Sequence, residues 1–207
     1  MDSAIGKNIM KDKFYLLDLV INEQYGNMVG EESTKTWLDK AKNGFFTKYM
    51  SGKGLDIGYK GYLNREVLPI LPTARGLTLN DYDGVNLPVE SNSQDYIYSS
   101  HVLEHISNRK EVIKDWHRAL KPSGYIVCVV PHQWLYERKE SLPSMWNGDH
   151  KVFYTASSLC KEFEDALPVN SFRIRYLEEN DKDHTYGVPV ETHANGCYEM
   201  IIVVQKL

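Results

Sequence analysis

"GYIVCVV", residues 124–130, is apolar on both faces. A strand with one wet side alternates polar and apolar residues, so this run marks a central strand of a parallel sheet covered on both sides. Working outward, "KPSG" before it ends a helix. Val112, Ile113, Trp116, Ala119 and Leu120 follow helical spacing there, and Asn108 with Glu111 is expected to form a capping box at its start. On the other side Thr155 opens a helix with Leu159, Phe163, Ala166 and Leu167 on its inner face, stopped by Pro168. Further strands are expected at 53–58, 75–79, 94–100, 172–178 and 197–205. Residues 13–25 have helical character and stop at Gly26. A second helix is expected from about Thr34, with Trp37, Ala41, Phe45 and Tyr49 as its stripe. Strands alternating with helices predict an open, doubly wound α/β sheet.

The chain has 207 residues, enough for one α/β domain with some decoration, and 42% of them are hydrophobic. A net charge of −4 argues against nucleic acid as a partner. Cys128, Cys160 and Cys197 are widely spaced, which excludes a disulfide framework and a cysteine zinc site. No apolar signal core or membrane span is visible, so a cytoplasmic protein is expected. The sequence assigns no oligomeric state.

In open α/β sheets ligands bind beyond the carboxyl ends of strands, where the strand order reverses. That rule gathers "GYKG" (Gly58, Tyr59, Lys60, Gly61), "NDYDG" (Asp81, Asp83), "SSH" (Ser100, His101) and "PH" (His132) on one rim. Imidazole titrates near neutral pH, so His101 and His132 are candidate general bases. "GLDIGYKGY" is a strand followed by a glycine turn, yet Lys60 and Tyr62 stand where a G-x-G-x-G loop has its later glycines.

Residues 53–132 resemble class I S-adenosylmethionine-dependent methyltransferases of the small-molecule type. The resemblance rests on "LDIG", the "LP" followed by "SQDYI", "SSHVLEH" and the helix exit "WHRALKPSG", in that order. It implies a Rossmann-like sheet, mostly parallel with an antiparallel last strand, and S-adenosylmethionine as cofactor. It divides the chain into an N-terminal helical cap over 1–50 and a methyltransferase domain over 51–207. Residues 133–207 resemble a subgroup associated with surface-polysaccharide biosynthesis, which implies a small-molecule or glycan acceptor.

By the same resemblance, Asp56 and the 58–61 loop lie at the methionine end of the cofactor. Gly61 serves as a shifted second glycine, and Lys60 either pairs with the cofactor carboxylate or points to solvent. The acidic residue expected to hold the ribose is replaced by Thr78, with Asp81 or Asp83 free to take over; Asp83 also matches the aspartate that reaches the adenine. Roughly fourteen residues separate the second strand from the next, too few for a helix and a strand, so the usual third strand should be reduced or absent.

Three other readings stand beside this one. "HVLEH" matches H-x-x-E-H, a zinc-peptidase motif in which His101 and His105 share a helix face and Glu104 acts as base. The irregular loop and Thr78 also fit a methyltransferase-like module that binds a ligand or partner without catalysis. In "WNGDHKVFYT", Asp149 and His150 either orient an acceptor hydroxyl or form a buried turn, while Trp146, Trp134 and Tyr136 either stack on a sugar or belong to the core. His132 and His101 lead as bases, His150 follows, and catalysis is expected to be metal-independent.

Overall fold

The computed structural model describes residues 23–59, 66–78, 81–82 and 85–207. Three helices come first: α1 (Glu23–Gly26), α2 (Glu31–Lys42) and α3 (Phe45–Tyr49). Strands β1 (Gly54–Ile57), β2 (Ala74–Leu77) and β3 (Gln94–Ser100) follow. A short 3-10 turn (Leu103–His105) leads to α4 (Arg109–Ala119) and β4 (Leu120–Pro131). A π-helical turn (Gln133–Glu137), α5 (Ala156–Ala166), β5 (Phe172–Asn180) and β6 (Glu199–Lys206) complete the chain.

The strands form one sheet in the order β2-β1-β3-β4-β6-β5. β1 to β4 run parallel, and β6 is antiparallel to both its neighbours. Between β2 and β3 the described residues contain no helix or strand, so the sheet begins at β2 with no further strand outside it. That agrees with the expected loss of the third strand. The central run divides as its composition demands. Ile126, Cys128 and Val130 face the core built with Trp116, Leu159 and Phe163, whereas Val127 and Val129 face Trp37, Phe46 and Tyr49. Helices α4 and α5 thus cover one face, and α2 and α3 the other.

Local departures have local causes. Helix α2 begins at Glu31, ahead of Thr34, and the expected stripe falls on two helices because the chain turns at Gly44, whose φ is 80°. Such a left-handed conformation suits glycine. Asn43 Oδ1 accepts from the Phe45 N–H (3.0 Å), and Trp37, Ala41, Phe45 and Tyr49 stay buried together. Asn108 occupies the N-cap of α4 but makes no side-chain cap, since Glu111 turns to Lys114 (2.9 Å). At α5, Thr155 and Ser158 form a reciprocal capping box. The expected helix over 13–25 lies mostly outside the described residues, as do Lys60, Gly61 and Asp83.

Candidate functional site

The chain leaves β1 for β2 on one side and returns to β3 on the other, so the strand order reverses between the carboxyl ends of β1 and β3. A crevice at such a reversal is where open sheets bind ligands. Gly58 follows β1 directly, with φ 72° and its N–H donated to the Leu77 carbonyl (2.8 Å). A Cβ at this position would lie 2.5 Å from Val102 Cγ2. Glycine is therefore required here by backbone and packing before any ligand arrives. The ring of Tyr59 rests on Gly76, and its carbonyl lies 3.8 Å from where a Cβ on Gly30, ahead of α2, would stand. The N-terminal helices thus reach the rim.

At the end of β2, Asp81 Oδ2 accepts from both the Thr78 N–H (2.9 Å) and the Thr78 hydroxyl (2.7 Å). These bonds, the backbone one foremost, hold the exposed carboxyl below its ordinary range. Thr78 and Asp81 act as one unit rather than as alternatives. Asp56 turns the other way. Its Oδ2 accepts from the Ile70 N–H (2.6 Å), and burial pushes its pKa up to about 8. The carboxyl straps the chain beyond the glycine loop, so Asp56 is moved from the cofactor-binding set to a bracing role. Ser100 ends β3 beside Tyr98, whose hydroxyl also meets Ser33 of α2 (2.9 Å).

His101 leaves β3 with φ 54° and donates its N–H to the Val129 carbonyl (2.9 Å). Its Nε2 lies 3.7 Å from Glu199 Oε1, and neither atom has a hydrogen-bond partner. Burial lowers the His101 pKa to about 4. Glu199 is sealed at the start of β6, where Asn180 Nδ2 donates to its Oε2 (2.8 Å). Burial raises its pKa against the opposing charge of Lys40. Glu32 completes the group, accepting from Tyr198 (3.0 Å) and Lys35 (2.6 Å). Tyr198 in turn stacks nearly parallel to His101 and touches Tyr136 and His193, while Trp146 touches His193 and donates to the Tyr136 carbonyl (3.0 Å). An aromatic wall therefore runs from His101 along the β4–α5 connection.

His132 has a different job. Its Nδ1 accepts from the N–H groups of Trp134 (3.0 Å) and Leu135 (3.3 Å), and its Nε2 faces Glu179 (3.4 Å). With Nδ1 committed as an acceptor, the ring caps the π-helical turn and offers no free lone pair. His150 is buried, with Nδ1 bonded to Glu137 Oε1 at 2.6 Å, so only its Nε2 is left for a ligand or acceptor. The peptidase reading of "HVLEH" is overturned as well. His101 faces Glu199, whereas His105 faces Glu104 and His150, so the two histidines share no helix face. Glu199, Glu32 and Glu137 escaped sequence reasoning. The one available signal was an acid at the head of the apolar strand "EMIIVV".

The expected cofactor can be tested against these residues. The rim offers backbone at Gly58 and Tyr59 for close approach, an exposed carboxylate at Asp81 for hydroxyl groups, and the Ser100 hydroxyl. That donor and acceptor set fits a nucleoside with an amino-acid tail. Residues 43–128 match the model of the methyltransferase domain family. A demethylmenaquinone methyltransferase of Staphylococcus epidermidis is 37% identical over 51 residues, which is 25% of this chain and 21% of that protein. The chain thus spans about a fifth of the length of that curated relative. Among solved structures, the [4+2]-cyclase SpnF is 13% identical with a TM-score of 0.54, covering 94% of this chain and 93% of its own. A structure describing conversion of a disulfide bond into a thioacetal group during echinomycin biosynthesis is 15% identical with a TM-score of 0.52, covering 83% and 80%. The match to the methyltransferase domain family covers residues 43–128, and the sheet shares the Rossmann-like α/β fold of these solved structures.

Proposed function

We propose that this protein methylates a hydroxyl group of a small, carbohydrate-linked acceptor, with His101 as the base. The observation that carries the reading is the buried, unpartnered Nε2 of His101 just beyond the end of β3, 3.7 Å from the buried Glu199. S-adenosylmethionine supplies an electrophilic methyl group. Gly58, Tyr59, Ser100 and the Thr78–Asp81 pair would hold it, and helices α1 to α3 belong to the cap over 1–50. The chain's own part would be to align the acceptor and to take its hydroxyl proton on His101 Nε2 as the methyl group is transferred. Glu199, 3.7 Å from that nitrogen, would stabilise the imidazolium once its own carboxyl is ionised. Such a base contributes ~10²–10⁴-fold, and alignment of the acceptor supplies the rest. The aromatic wall of Tyr198, Tyr136 and Trp146 supports a sugar or other flat-faced acceptor, a chemistry that also suits the polysaccharide-linked subgroup. The acceptor and a cytoplasmic location belong to the same proposal.

A screen of nucleotide-linked sugars with methyl-labelled cofactor tests the reading. The expected result is label transfer to a hydroxyl, lowered at least ~10²-fold in His101→Ala with cofactor affinity retained. The rate should lack a rise at the free imidazole value, because burial lowers the His101 pKa to about 4. Cofactor binding without transfer to any acceptor would favour the non-catalytic module. A slower His132→Ala with an unimpaired His101→Ala would reverse the choice of base.

A further inference from the structure

Beyond the ends of β3 and β4, three side chains from two separate parts of the chain converge. Glu104 and His105 come from the 3-10 turn, and His150 comes from the connection between β4 and α5. Each offers one ligand atom, and these atoms all lie within 4.8 Å of one another. The side chains of Glu104 and His150 are 1% and 3% exposed, whereas His105 is 26% exposed and opens the group to solvent. The two rings meet edge to face with centroids 4.8 Å apart.

Glu104 is the anomaly. Neither of its carboxyl oxygens has a hydrogen-bond partner, and the nearest polar group is His105 Nε2, 3.6 Å from Oε1. Its own backbone N–H gives partial electrostatic relief, but burial dominates and the nearby carboxyl of Glu137 adds to the strain of holding charge there. Buried carboxyl groups left in this state are rare, since a charge out of water needs a partner. His150 is prepared for one. Glu137 Oε1 takes its Nδ1 at 2.6 Å, with both side chains buried, which leaves Nε2 as the free lone pair. A carboxylate fixing one nitrogen of an imidazole so that the other can bind is the outer-shell arrangement of metal-ligating histidines.

We propose that Glu104, His105 and His150 bind one divalent transition-metal ion, zinc by preference, with Glu137 orienting His150. Two imidazoles and one carboxylate form a donor set suited to zinc, with a fourth position open. Magnesium and calcium favour all-oxygen sites and are excluded by the same donors. A dication would also offset Glu104 and Glu137 together. The ion would clamp the β4–α5 connection to the turn after β3, where the Lys151 N–H already donates to the Glu104 carbonyl (2.7 Å). The inference stands apart from methyl transfer and needs neither cofactor nor acceptor.

The test uses the full chain, stripped with a chelator and dialysed against zinc, with magnesium as the control. The expected result is one zinc per chain by elemental analysis and a raised thermal midpoint. Glu104→Gln and His105→Ala should each weaken zinc binding at least ~10²-fold, and Glu137→Gln by ~10–100-fold. His105 is partly exposed, so its replacement decides the matter if a buried variant fails to fold. Failure of the parent protein to retain zinc would overturn the proposal. So would equal retention by the parent, Glu104→Gln and His105→Ala, because the ion would then sit elsewhere.

Discussion

Replacing Gly58 by alanine is expected to destabilise the protein through Val102, before any effect on the cofactor is felt. The added Cβ would lie 2.5 Å from Val102 Cγ2, on a backbone whose φ is 72°. The left-handed conformation costs a non-glycine residue about 1 kcal/mol, and crowding into packed side chains adds about 1–3 kcal/mol. The sum is ~2–4 kcal/mol, or a fall of roughly 4–16 °C in the midpoint for a chain of this size. Val102→Ala removes the colliding atom. Alone it should cost about 1 kcal/mol, because Val102 is partly buried against the core. Together the two changes should cost at least ~1 kcal/mol less than their sum, since they share the clash. Urea denaturation of the four proteins, followed by tryptophan fluorescence, measures this cycle. A cost below ~1 kcal/mol for Gly58→Ala, or strict additivity, refutes the packing argument. The same cycle read by calorimetry with S-adenosylmethionine separates loss of fold from loss of cofactor space, which Gly58→Val alone would confound.

Two further outcomes follow from the carboxyl groups near the crevice. Asp56 has a pKa raised to about 8, so its folded state holds a proton that the unfolded chain releases near 4. Its contribution is complete below the unfolded value and fades as pH rises toward 8. Asp56→Asn keeps an acceptor for the Ile70 N–H, and its stability relative to the parent should increase by about 4 kcal/mol between pH 5 and pH 8. A difference that does not change with pH would sink that assignment. Asp81→Ala removes an exposed group, so the thermal midpoint should hardly move while cofactor affinity falls by roughly tenfold. Unchanged affinity in calorimetry would take Asp81 out of the binding set.

The fold was legible because its signals are local and redundant. "GYIVCVV" could face water on neither side, and the helices around it repeat their apolar residues at the helical period. The shortness of the 78–93 stretch limited what it could contain, and no strand was needed to read that. Where local chemistry was finely balanced, the reading slipped. Asn108 can cap a helix, but Glu111 found Lys114 instead, and nothing in the sequence ranks those two bonds.

The site was half legible for a related reason. Strand ends can be placed from sequence, so His101, Asp81 and Gly58 were expected just beyond strands and lie there. The partners that decide what each does arrive from distant elements. His132 looks as available as His101 in sequence, since both follow apolar strands. Only the folded chain shows Nδ1 of one capping Trp134 and Leu135, and Nε2 of the other facing an acid on an antiparallel strand. "HVLEH" makes the same point with opposite sign. A helix would have put its two histidines on one face, but the left-handed backbone at His101 ends β3 abruptly and the turn after it is only 103–105. One motif is thereby divided between two buried acids, with His101 set beside Glu199 and His105 beside Glu104. Base and proposed ion site therefore call for separate replacements. Changes at Glu199 should act on proton transfer, and changes at Glu104 on metal content.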